Sequence, residues 1–313
     1  MITTLTLNPT LDTTLYVNDF KPDDSNRVVG VQKDPGGKGL NVSRIAHKLG
    51  SKVSTITFFG GHTGDEVDDL LREEGLFPFT IRVSEDTRNN VTITKTDTYS
   101  QTRFNQVGPN VTEGEYQSLL SMVEQLGDNA DVFVVSGSLP PGVKPDAYRE
   151  IIRLLKKVKP DLKIILDSDT APLKIGLEAG PYMIKPNIHE AERLLGREIK
   201  TEAEQVQALK DMRALGAETV VMSRGQDGLI GFDGKEFVEV KPLTVNVKST
   251  VGAGDALVAG ICYALEEGKS FSEMLEFGVL VSAAKVTTPG TGACGWEEIN
   301  ALGKRPQAVT LDY

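Results

Sequence analysis

Cysteine and histidine are scarce in this sequence. Cys262 and Cys294 are the two cysteines in 313 residues and form no CxxC pair. A disulfide framework and a thiolate metal knuckle are both excluded, and each cysteine reads as a small buried residue. His47, His62 and His189 are scattered and no HExxH occurs, which sets zinc hydrolases and histidine-based triads aside. No run approaches the ~18 consecutive apolar residues that cross a bilayer. Met1-Ile2-Thr3-Thr4 opens no basic-then-apolar leader, so the expected address is the cytoplasm, with no membrane partner. Positive charge is short as well: 34 Lys and Arg face 44 Asp and Glu, a net charge of −10. Binding a nucleic-acid backbone requires basic patches that displace counterions, so nucleic acid is not an expected partner. An anionic ligand would have to be held by a few local arginines and by backbone N–H groups.

What is present is the balance of a soluble globular protein, 39% hydrophobic and 25% charged, long enough for one α/β domain with a large core. Short apolar runs ending in small or polar residues recur: "VSTITFFGG" (53–61), "DVFVVSGS" (131–138), "KIILDSD" (163–169), "YMIKPN" (182–187) and "TVVMSRG" (219–225). Between them helical patterns cover Glu113–Leu126, Pro145–Lys157 and Glu202–Leu215. This alternation predicts an α/β fold with a mostly parallel central sheet covered on both faces. Ligands of such sheets gather at the carboxyl ends of the strands, where Ser136, Asp167, Asn187 and Ser223 fall. Two segments differ. Thr13–Val17 and Val91–Phe104 are rich in Thr, Val and Ile, and "VTITKTDTYSQTRF" alternates as antiparallel strands around a turn. They predict a small sheet beside the main one, serving as a lid or a dimer surface.

Several stretches carry candidate chemistry. In "STVGAGDALVAG" (249–260) the unhindered residues Gly252, Ala253 and Gly254 enter an apolar helical pattern. Free N–H groups at the positive end of a helix dipole suit a phosphate or a developing oxyanion. Asp255 in that first turn is expected to be stabilised as the anion and to take the proton of a hydroxyl attacking a phosphoryl group. The plainer alternative is a tight turn with a charge on the helix start. The phosphate loop GxxxxGK[ST] occurs nowhere, and GxGxxG fails here because Leu257 holds the sixth position. In "PGGKGLN" (35–41) three glycines allow close approach of a ligand, and Asn41 offers a donor and an acceptor to a sugar hydroxyl or else caps the helix that follows. Arg27, Arg88 and Arg103 lie in or beside the two lid-like segments. Converging guanidinium groups would grip a phosphate, although scattered surface arginines are the commoner explanation for any one of them. Asn187 and Glu190, three apart on a nascent helix, face one hydrated Mg²⁺ or simply begin that helix.

Taken in order, "TLTLNPTLD" (4–12), "PGGKGLNVSR" (35–44), "TRNN" (87–90), "SGSLPPG" (136–142), "KPNIHE" (185–190), "SRGQDG" (223–228) and "STVGAGDALVAG" (249–260) resemble the ribokinase-like sugar kinases of the phosphofructokinase B group, nearly end to end. The resemblance implies one Rossmann-type domain over 1–313 with a β lid from about 12–33 and 88–106. It also implies ATP as phosphoryl donor, Mg²⁺ as the metal and, with the strand pattern, a homodimer through the lid. Position by position it implies Asp255 as catalytic base, with the backbone of Gly252, Ala253 and Gly254 as its anion hole. Asp12, Gly37 and Asn41 would meet the sugar hydroxyls with Ser138 beside them, and Arg27, Arg88 and Arg103 the substrate's own phosphate. Lys185, Asn187, Ser223, Gly225, Gly228 and Thr250 fall on the nucleotide side, with Glu190 and Asn187 near the metal.

The group's substrates are phosphorylated ketohexoses. Fructose 6-phosphate is the expected one here, with fructose 1-phosphate and tagatose 6-phosphate as alternatives. A non-catalytic sugar-phosphate sensor is the reading from another class, and intact Asp255, Asn187 and Glu190 count against it. A nicotinamide oxidoreductase would lack its glycine fingerprint after the first strand. Ribokinases proper carry Asp where this chain has Ser249, a position tied there to a monovalent cation, so dependence on K⁺ is left open.

Overall fold

The computed structural model describes residues 1–313. From the N-terminus, β1 (Ile2–Thr6) is followed by the hairpin β2 (Thr10–Val17) and β3 (Val28–Gly36), the helix α1 (Lys38–Lys48), β4 (Val53–Phe59), α2 (Gly61–Glu73) and the short β5 (Phe79–Arg82). A second hairpin, β6 (Arg88–Lys95) and β7 (Gln101–Phe104), leads through α3 (Glu113–Gly127) into an alternation of β8 (Val132–Ser136), α4 (Ala147–Val158), β9 (Lys163–Asp167), α5 (Thr170–Leu177), β10 (Met183–Ile184), α6 (Ile188–Leu195), α7 (Glu202–Ala214) and β11 (Thr219–Ser223). Then come β12 (Leu229–Phe232), β13 (Phe237–Val240), α8 (Ala253–Glu266), α9 (Phe271–Val286), α10 (Trp296–Ala301) and β14 (Ala308–Leu311).

The expected α/β architecture is present. One ten-stranded sheet runs in the order β14-β13-β12-β11-β10-β9-β8-β1-β4-β5, parallel from β5 to β11. Successive residues of the parallel strands enter opposite cores. Phe133 and Val135 pack with α3, α4 and α7, while Val132 and Val134 pack with α1, α8 and α9. Burial on both faces is why these strands read as unbroken apolar runs. The predicted helices end within two residues of those observed, and α3 and α7 begin at Thr112 and Thr201 with reciprocal capping boxes.

Three parts of this sheet gave no strand signal: β1, the four-residue β5 and the edge beyond β11. β1 holds a central position although "ITTLT" looks polar; its Thr4 Oγ1 lies 2.6 Å from Ser43 Oγ, and its Thr6 carbonyl accepts from Thr57 Oγ1 at 2.9 Å. The paired hydroxyl allows Thr4 to be buried there, while the Thr3 and Thr6 hydroxyls are buried without a partner. The antiparallel edge β12-β13-β14 consists of strands of four residues each, too short for a clear period.

The small sheet has the order β3-β2-β6-β7. Its outer pairs are antiparallel, including the expected hairpin with Val91 opposite Phe104, while β2 and β6 are parallel. The chain passes from β1 to β2 through Leu7–Pro9 and from β3 straight into α1. Both passages therefore lie at the carboxyl edge of the main sheet, beside the start of α8. Cys262 and Cys294 are free and buried. No helix is long and apolar enough to cross a membrane.

Candidate active site

Two cavities converge on the N-terminus of α8. One, of about 840 Å³, opens beneath the small sheet and is bordered by Asn8, Asp12, Gly37, Asn41, Ser138 and Asp255. The other, of about 520 Å³, lies across the helix start against Thr250, Ala253 and Gly254. Gly252 caps the helix with φ 77°, a left-handed conformation that suits glycine. The N–H groups of Gly252, Gly254 and Asp255 make no hydrogen bond within the chain. They stand at the positive end of a 14-residue helix, where an anion is favoured.

Asp255 is 8% exposed and accepts a 2.8 Å hydrogen bond from Asn41 Nδ2. Burial pushes its carboxyl above the usual carboxylate range; Lys38 and Asn41 pull the other way and Asp167 adds to the rise. The sequence led us to expect a carboxylate stabilised as the anion by the helix dipole, and desolvation outweighs that. A raised proton affinity is what a general base acting near neutral pH needs.

Asn41 is not a helix cap. Helix α1 begins earlier, at Lys38 after Gly37, so Asn41 falls in its first turn with its N–H bonded to the Gly37 carbonyl at 2.9 Å. That leaves the side chain to the site: Nδ2 holds Asp255, and Oδ1 is buried without a partner, ready to accept from a ligand hydroxyl. The neighbouring glycines make room for protein as well as for a ligand. A Cβ on Gly39 would lie 2.4 Å from Thr6 Oγ1, and one on Gly36 2.3 Å from Asp12 Oδ2.

A charged network the sequence reading had not assembled lies behind Asp255. Lys38 Nζ donates to Asp167 Oδ1 at 2.9 Å and lies 3.9 Å from Glu190 Oε1, while Lys185 Nζ is 3.6 Å from the same Asp167 oxygen. Burial works against the charge of Asp167, but Lys185 and Lys38 outweigh it and hold the carboxyl below its ordinary value. Burial likewise works against the Lys38 ammonium, and Asp167, Asp255 and Glu190 more than offset it. Lys185 Nζ sits 3.3 Å from where a Cβ on Gly254 would be, facing the α8 amides. The available signals were that Lys38 is the one basic residue inside "PGGKGLN" and that Asp167 ends a strand at the carboxyl edge.

Asn187 and Glu190 form the capping box of α6: Asn187 Oδ1 accepts from the Glu190 N–H at 2.9 Å, and Glu190 Oε2 from the Asn187 N–H at 2.8 Å. Glu190 borders the first cavity, and Asp167 Oδ2 is buried with no partner. No three His, Cys, Asp or Glu side chains cluster as a dedicated metal cage. One or two carboxylate oxygens fit Mg²⁺, which keeps waters and takes its remaining ligands from substrate phosphates.

In the first cavity, Asp12 Oδ1 accepts from Asn90 Nδ2 at 3.3 Å. Burial raises its carboxyl to about 6, although Asn90 and Arg88 oppose the shift. Because the folded value exceeds the ordinary 3.8, the native state holds this proton more readily, and the contribution of Asp12 to stability falls as pH rises from about 4 to 6. Asp12→Asn is therefore expected to melt higher than the parent at pH 7.5, a stabilisation of up to ~3 kcal/mol, with no gain near pH 4, while the KM for the ligand of this cavity rises. Thermal melts at the two pH values and initial rates check this.

Arg88 borders the same cavity. Its Nη2 donates to the Asn8 carbonyl at 2.8 Å, with Nη1 and Nε directed at the Gln106 and Pro9 carbonyls at 3.2 and 3.3 Å. Arg27 and Arg103 are exposed outside it, and Arg103 bonds Gln101 Oε1 at 2.8 Å. The second cavity gathers Ser223, Gly225, Gly228 and Thr250, with apolar walls from Leu243, Val247, Val279 and Val286 that carried no signal in the sequence. Asn187 adjoins this side through its bridge to Ser223.

This chain matches the description "pfkB family carbohydrate kinase" over residues 5–299. The protein belongs to the pfkB family of carbohydrate kinases. Among the relatives of this pfkB chain, a 1-phosphofructokinase of Borreliella burgdorferi is 32% identical over 304 residues, covering 96% of each chain. An ATP-dependent 6-phosphofructokinase isozyme 2 of Mycobacterium tuberculosis is 34% identical over 316 residues, covering 99% of this chain and 92% of the relative. A solved structure of phosphofructokinase-2 from Escherichia coli in complex with potassium superposes with a TM-score of 0.90 at 32% identity, covering 97% of this chain and 99% of that one.

Proposed function

We propose that this pfkB-family kinase transfers the γ-phosphoryl group of ATP to fructose 6-phosphate, giving ADP and fructose 1,6-bisphosphate. The observation that carries the reading is the junction: Asp255 borders the first cavity while Gly254, its neighbour in the chain, borders the second. In the proposed step the 1-hydroxyl oxygen of the sugar forms the new bond to the γ-phosphorus, the bond from that phosphorus to the β-phosphate bridge breaks, and the hydroxyl proton passes to Asp255. The free amides of Gly252, Gly254 and Asp255 meet the phosphoryl in transit, the Ala253 N–H being taken by the Thr250 carbonyl at 3.3 Å, and Lys185 stands beside them. Asn41 orients the base. Mg²⁺, held through Glu190 and Asp167, would neutralise charge on the phosphates. The apolar walls of the second cavity suit the planar base of the nucleotide.

Fructose 1-phosphate and tagatose 6-phosphate are the alternative substrates, the first supported by the Borreliella relative's name. One coupled assay of the three sugar phosphates under identical conditions decides. Fructose 6-phosphate is expected to give the largest kcat/KM, and no ADP formation with any of the three would return the protein to the sensor reading. In Arg88→Ala the KM for the sugar phosphate is expected to rise about tenfold or more with the ATP KM little changed. Equal effects on both would take Arg88 off the sugar side.

In the same reading the small sheet is a lid, part of one domain over residues 1–313, that excludes water on closing. Val28, Val29, Val31 and Phe104 are exposed on it, and a second copy of the chain would cover them. The reaction belongs in the cytoplasm, where ATP is held.

A further inference from the structure

Lys285 is a buried charge that the phosphoryl-transfer step does not use. It lies near the end of α9 with 1% of its surface exposed. Its Nζ donates to Thr288 Oγ1 at 3.0 Å and to the Gly290 carbonyl at 3.1 Å rather than to a carboxylate. The Thr288 hydroxyl is itself set against the carbonyls of Lys285, at 2.8 Å, and Gly292, at 3.2 Å. The turn over residues 288–292 thus gives the ammonium two oxygen partners.

The other wall of the enclosure is the approach to the anion hole. Lys285 Cε lies 3.4 Å from where a Cβ on Gly252 would be. The adjacent Val286 carbonyl accepts from the Lys248 N–H at 2.8 Å and the Ser249 N–H at 3.3 Å. Ser249 is buried, and its hydroxyl accepts from the Val251 N–H at 3.2 Å. Burial lowers the lysine's proton affinity; Cys294, Asp34 and Asp255 oppose that and Arg44 adds to it. A buried ammonium with no carboxylate partner is costly unless several oxygens surround it, and this one is placed against the loop whose amides must point at a phosphate.

We propose that the Lys285 ammonium is a built-in monovalent cation: it fixes the 248–252 segment against the 288–292 turn, positions the Gly252 amide, and leaves the enzyme independent of added K⁺. The inference rests on the phosphotransfer reading of the α8 N-terminus and concerns a positioning residue, since Lys285 touches neither cavity. The Escherichia coli relative was solved with potassium; in this chain the positive charge comes from within the fold.

The test compares KCl, NaCl and choline chloride at equal ionic strength. For the wild-type protein, turnover, ATP affinity by calorimetry and melting temperature are expected to agree within about twofold or one degree across the three salts. Lys285→Ala is expected to lose at least tenfold in kcat in choline chloride and to recover part of it, with a higher melting temperature, in KCl. Activation of the wild-type protein tenfold or more by K⁺ would overturn the proposal, as would a Lys285→Ala protein equally impaired in every salt, which would indicate packing alone. If the variant does not fold, the wild-type comparison decides. ATP affinity and melting temperature are read without any sugar phosphate, so a failure of the kinase reading is distinguishable from a failure of this one.

Discussion

Asp255→Asn is expected to lower kcat by about 10²-fold or more while the dissociation constants of ATP and sugar phosphate stay within a few-fold. The amide keeps the shape of the side chain and a neighbour for Asn41 Nδ2, now 2.8 Å from Asp255 Oδ2, but it cannot take a proton. The α8 amides, Lys185 and the walls of both cavities are untouched. Stability should not fall, because the substitution removes a buried charge whose carboxyl already sits above its ordinary range. The same shift gives a second readout: wild-type kcat falls on the acid side as the base becomes protonated, and the residual rate of the variant lacks that limb. Steady-state kinetics from pH 5 to 9 with calorimetry on each ligand check all three. Near-normal turnover would remove Asp255 from the role.

Lys38→Met is expected to move that acid limb to higher pH. Lys38 opposes the effect of burial on Asp255 and supplies the 2.9 Å contact to Asp167; without it the base binds its proton more tightly. A shift of one pH unit makes turnover about tenfold lower on the acid side of the profile, with recovery near pH 9. Asp167 keeps only Lys185, at 3.6 Å, so the fold should lose about 2 kcal/mol, below the ~3–5 kcal/mol of a fully buried pair because Lys38 retains some solvent. Urea denaturation and the pH profile of kcat are the measurements. An unmoved limb would detach Lys38 from the base and leave it a structural ion pair.

The parallel sheet was legible because two buried faces make unbroken apolar runs, as in Val132–Ser136 and Lys163–Asp167. β1 was not, since three of its five residues are buried threonines, only Thr4 through a hydroxyl pair with Ser43, and no periodicity reveals that. At the site, the Gly252–Asp255 turn was visible as a motif because backbone amides and a carboxylate leave a local signature. The Lys38–Asp167–Lys185 network was not, since its members are far apart in the chain and meet only where α1, β9 and the end of β10 converge. Asn41 shows the limit of local rules. It looked equally like a cap and a ligand group, and the earlier helix start at Lys38 is what turns its side chain to Asp255. Asn187 and Glu190 do make the cap their spacing allowed, yet Glu190 also faces the cavity. Arg27 and Arg103 stand apart from it because the hairpins carry them out to the exposed edge of the small sheet.

The central claim is that two substrates meet at Asp255 with water excluded. A single-turnover quench with ATP labelled in the γ-phosphate tests it most directly. The predicted result is label on fructose bisphosphate, one per ADP formed, with negligible inorganic phosphate whether or not the sugar is present. Label released as inorganic phosphate at the same rate without sugar would contradict the account.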